Sequence, residues 1–103
     1  MMQQYIQELR EIIRELHGTD STHVESVPVS ETFQGKTVWA GMVEVFELHG
    51  HPKATHAYAW AHETDNPEFP IRHVTVLKIP PVVSPVTAVR AAIAQEFKLA
   101  EEA

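Results

Sequence analysis

The sequence predicts an α+β domain: a two-layer sandwich in which an N-terminal and a C-terminal helix cover a three- or four-stranded antiparallel meander. Three observations carry this. Apolar residues recur at helical spacing over residues 1–17, β-branched and aromatic runs broken by turn signals fill the middle, and helical spacing returns after Ser84. The 103 residues, 44% hydrophobic and 21% charged, fit a single domain spanning residues 1–103.

The first helix places Tyr5, Ile6, Leu9, Ile12, Ile13 and Leu16 on one stripe, with Glu8, Arg10, Glu11, Arg14 and Glu15 largely on the other. His17 followed by Gly18 is a last-turn cation and a C′ glycine, which stops the helix there. Thr22 to Phe33 mixes β-branched with polar residues, and Pro28 cannot donate to a ladder, so this segment is expected as an edge strand or an extended arm. Gln34-Gly35-Lys36 is a turn. Thr37 to His49 reads as a long strand with two largely apolar faces. After a second turn at Gly50-His51-Pro52-Lys53, Ala54 to Thr64 alternates strictly, with Ala57, Ala59 and Ala61 on one side and His56, Tyr58, Trp60 and His62 on the other. Residues 65–70 form a loop, Ile71 to Ile79 a further strand, and Pro80-Pro81 ends it. Ser84 before Pro85 is an N-cap and first-turn pair, followed by the stripe Val86, Val89, Ile93, Phe97 and Ala100. The two helices are expected on one shared face, over the small alanines, which leaves the aromatic stripe on the other.

The order of elements is similar to that of the double-stranded-RNA-binding domain, α-β-β-β-α, and Ser84 to Ala94 (SPVTAVRAAIA) resembles its small-residue C-terminal helix. The resemblance implies a fold. That family grips phosphates with lysines opening its last helix, where this chain has Ser84, Pro85, Val86 and Thr87, and Pro80-Pro81-Val82-Val83 replaces its glycine-rich turn. The RNA-binding residues therefore do not carry over.

Charge points the same way. Fourteen acidic against eight basic side chains give a net charge of −6, and the basic residues are scattered singly, which disfavours a polyanionic partner. The absence of cysteine removes disulfides, thiolate nucleophiles and thiolate zinc sites. No apolar run reaches signal-peptide or membrane-span length, so a cytoplasmic location without a membrane anchor is expected.

Seven histidines are the compositional oddity, and His49, His51, His56 and His62 fall close together. A zinc-like site needs three or four ligands converging at about 2 Å. His56 and His62 lie roughly 20 Å apart along an extended strand, and the turn at Gly50 and Pro52 lets His49 and His51 diverge, so they are weak metal candidates and no cofactor is expected. For acid–base catalysis, Glu44 and Glu47 point to opposite faces of a strand. Gly35-Lys36-Thr37 lacks the earlier glycine of a phosphate-binding loop, since position 30 is Ser30.

Tyr58 and Trp60, with His56 beside them and Trp39 on a neighbouring strand, form the candidate binding surface. The expectation is a non-enzymatic interaction module that self-associates as a homodimer, or binds another protein, through this aromatic face or its helices. The competing expectation for the aromatics is that the C-terminal helix, or the Thr22 to Phe33 arm, folds over them and makes them core. A nucleic-acid-binding domain of the family resembled above is the first alternative function, and a small metal enzyme using some of His49, His51, His56 and His62 the second.

Overall fold

Gly18 adopts φ +69° and its N–H closes on the Arg14 carbonyl at 2.9 Å, which ends the first helix where the sequence places its stop. The computed structural model describes residues 2–102, with side chains through Glu96. Its elements are helix α1 (Met2–His17), strands β1 (Asp20–Phe33), β2 (Lys36–His49), β3 (His56–Glu63) and β4 (Ile71–Leu77), and helix α2 (Pro85–Glu102). The strands form one antiparallel sheet in the order β1-β2-β3-β4, so the α+β class, element order and meander are as the sequence predicts, with four strands. Phe97 and Ala100, the last positions of the predicted α2 stripe, lie outside the described side chains.

Gln34 and Gly35 both take positive φ, 52° and 78°, the requirement of a two-residue hairpin turn whose twist matches its strands. That turn joins two strands of 14 residues, β1 and β2, and β1 is an edge strand as expected. At the start of α2, the Ser84 Oγ accepts the Thr87 N–H at 3.2 Å, and the Thr87 hydroxyl oxygen accepts the Val83 and Ser84 N–H groups, each at 2.9 Å. The cap is reciprocal, so donors at the helix mouth are satisfied within four residues of chain.

The layering corrects the expectation of a two-layer sandwich with both helices on one shared face: the sheet lies between them. Leu9 and Ile13 of α1 pack with Phe46, Leu48, Ala57 and Ala59, whereas Ala88 and Val89 of α2 pack with Val43, Val45, Tyr58 and Trp60. Because successive strand residues point to opposite faces, α1 and α2 lie on opposite sides of the sheet. The cause is the composition of β2 and β3. Both strands are apolar on both faces, and Val43, Val45, Phe46 and Leu48 are all buried. Each buried aliphatic or aromatic side chain contributes about 1.5–3 kcal/mol, so leaving either face bare forfeits several such contributions and each face takes a helix. The alanines do lie under a helix: Ala57 and Ala59 are fully buried beneath α1.

Candidate interaction surface

Of the residues expected as a binding surface, Tyr58 and Trp60 are drawn into the core. Tyr58 and Trp60 are 3% and 2% exposed and belong to the cluster under α2, and burial raises the Tyr58 pKa above its ordinary value. Trp39 is half-buried, its ring edge-on to Trp60 at 5.5 Å between centroids. Gly41 lets the Trp39 indole lie close along the strand, since a Cβ there would meet the ring at 3.3 Å. His56 is half-buried at the start of β3, opposite Glu47, with its Nδ1 2.9 Å from the Thr55 hydroxyl. The aromatic face is therefore closed by the protein's own C-terminal helix, and the set Trp39, His56, Tyr58 and Trp60 does not form an open platform.

The four histidines weighed as metal ligands serve separate local roles. His49 Nε2 meets the Thr22 hydroxyl at 2.7 Å, while His51 Nδ1 accepts the N–H groups of Lys53 and Ala54, both at 3.0 Å, and so builds the β2–β3 turn. His62 lies 4.0 Å from the Glu96 carboxylate on the α2 side. Among the described residues no group of three or more His, Asp or Glu side chains converges as a metal site would require.

The carboxylates Glu44 and Glu47 part as predicted, and Glu44 is fully buried on the α1 side while Glu47 is exposed. One oxygen of Glu44, Oε1, accepts from His23 Nε2 at 2.9 Å and from the Ser26 hydroxyl, tying β1 to β2. Its Oε2 has no hydrogen-bond partner among the described residues. Imidazole and hydroxyl spend their bonds on the same oxygen, so the trio is a polar clamp rather than a base acting on a serine. No pairing in the sequence singles out His23, because its partner lies 21 residues away on the neighbouring strand.

Three arginines on the surface lie against carboxylates. Arg14 pairs with Asp20, Arg90 with Glu31, and Arg72 lies 3.6 Å from Glu96. The Arg14 guanidinium holds the Asp20 carboxyl below its ordinary pKa. No described helix is long and apolar enough to cross a membrane.

The two sheet edges differ. Along β1, Pro28 interrupts the donors, register shifts fall between His23 and Glu25 and between Glu31 and Thr32, and Glu25 and Glu31 add charge. These are devices that stop an edge from pairing with another chain. Strand β4 pairs with β3 residue for residue from Ile71↔Glu63 to Leu77↔Ala57, and its sequence holds neither proline nor carboxylate. The Lys78 N–H donates to His56 O, and Pro70 O accepts from Thr64 N, each at 2.9 Å, so even-numbered residues turn their backbone groups toward β3. By alternation Ile71, His73 and Thr75 turn theirs outward. Grooves flank this edge on both sides, one of about 500 Å³ lined by Ile12, Leu16, Phe69 and Ile71, the other of about 380 Å³ running past Val74 and Val76 to Ala91 and Gln95. Leu16, Phe69 and Ile71 are 64%, 67% and 55% exposed. Sequence reasoning passed over this edge, though its signal was legible as β-branched residues without a breaker. Comparison with family models, with curated proteins and with solved structures finds no significant match for this chain.

Proposed function

We propose that the protein is a cytoplasmic, non-enzymatic interaction module that self-associates through its β4 edge and the apolar side chains beside it. The observation that carries this reading is the asymmetry of the edges, since a bare, regular edge strand is a template for pairing and proteins ordinarily blunt it. Exposed Leu16, Phe69 and Ile71 supply apolar area next to the free backbone groups. The chemistry of an enzyme is not what supports a role here: Glu44, the one fully buried carboxylate among the described residues, works as a structural clamp. Nor does the likeness in element order to the double-stranded-RNA-binding domain extend to charge, because Arg14, Arg72 and Arg90 each face a carboxylate.

The test is size-exclusion chromatography with light scattering. The wild type is expected as a dimer at tens of micromolar, an association free energy on the order of −7 kcal/mol. Phe69→Lys with Ile71→Lys alters only exposed side chains and is expected to yield a folded monomer. A wild type that stays monomeric at these concentrations contradicts the reading.

A further inference from the structure

Resting on that reading, we infer that the partner is a second copy of this chain, paired antiparallel β4 to β4 about a twofold axis at Val74, so that two four-stranded sheets become one. The sequence of β4 is self-complementary in this register. Ile71 falls opposite Leu77 of the second copy, Arg72 opposite Val76, His73 opposite Thr75, and Val74 opposite itself. Ile71 with Leu77 and Val74 with itself are apolar pairs, His73 and Thr75 form a polar pair on the α1 side, the Arg72 stem lies beside Val76, and no like charges sit directly opposite each other. Continued past the strand ends, the same register brings Phe69 toward Ile79 of the second copy, two of the exposed large hydrophobic side chains. A shift that puts the axis at His73 instead sets His73 against itself and Ile71 against Thr75, losing that match.

Backbone chemistry agrees with the register. Ile71, His73 and Thr75 are the residues whose N–H and C=O point away from β3, so His73 of each copy exchanges both bonds with Thr75 of the other. The Leu77 carbonyl already accepts from Ile79 N–H at 2.9 Å and retains a second lone pair for Ile71 of the second copy. Isologous pairing also explains why β4 carries no carboxylate in a chain with 14 of them: acidic residues on a self-pairing edge would concentrate charge at the axis.

Cysteine cross-linking tests the register, since the chain has no cysteine of its own. Val74 sits at a non-hydrogen-bonded position toward the second copy, where Cα atoms lie about 4.5 Å apart, inside the range a disulfide spans. Val74→Cys is expected to oxidise to a covalent dimer at least about tenfold faster than Arg72→Cys, whose two copies are offset by roughly 13 Å along the strands. On the wild type, the Ile71, His73 and Thr75 amides are expected to exchange with deuterium about tenfold more slowly in concentrated than in dilute solution, while β1 amides do not change. A dimer by light scattering in which Val74→Cys links no faster than Arg72→Cys, or in which these amides stay unprotected, overturns the pairing and leaves self-association standing. A monomer at every concentration overturns both.

Discussion

Glu44, His23 and Ser26 show how a single buried carboxylate organises the hairpin. A buried polar group is costly unless it is hydrogen-bonded, and the His23 imidazole supplies to Oε1 the bond that reaches from the edge strand. His23→Ala is expected to cost about 1–3 kcal/mol, read as a lower urea midpoint at unchanged slope. His17 responds to pH. Burial, and then the nearby His51, hold its imidazole below the ordinary value of 6.5 while its Nε2 meets the Thr75 hydroxyl at 2.8 Å. A depressed folded-state pKa means that the unfolded chain binds the proton more readily, so this group costs nothing above that range and removes stability as pH falls through 6.5 toward the depressed value. His17→Gln should flatten the loss of stability below pH 6.5 relative to the wild type, measured by denaturation across that window. The sequence drew attention to His49, His51, His56 and His62 by their proximity along the chain. Cross-strand pairing and helix docking decide which imidazoles are buried with partners, and neither is visible from spacing.

The elements were more legible than their layering. Gly18, Gln34-Gly35 and Ser84-Pro85 mark boundaries by local backbone requirements, and local requirements can be read from sequence. Which face each helix covers is a tertiary choice, and the apolar character of both faces of β2 was its one sequence signal. The aromatic stripe follows from that choice: with α2 laid across it, Trp60 is core. Trp60→Ala is therefore expected to cost about 3–5 kcal/mol, seen as a large fall in thermal midpoint with loss of near-ultraviolet dichroism. A substitution there that leaves stability intact but changes oligomeric state would return the aromatics to the surface. The outward edge of β4 was legible in principle, since a strand without proline, glycine or carboxylate stands beside one interrupted by Pro28.

At the scale of the molecule, the proposed self-association of a chain of net charge −6 would bring two like-charged bodies together. Added salt screens that repulsion, so dimerisation should tighten modestly between about 50 and 300 mM salt, the opposite of the steep loss expected for a polyanion binder. Sedimentation equilibrium across that range reads the sign directly. We propose that the bare β4 edge is completed by a second copy of this chain. Light scattering on the wild type beside Phe69→Lys with Ile71→Lys tests it most directly. The wild type is expected at twice 11.6 kDa and the folded variant at 11.6 kDa. A wild type of 11.6 kDa at tens of micromolar, or a variant that remains dimeric, contradicts it.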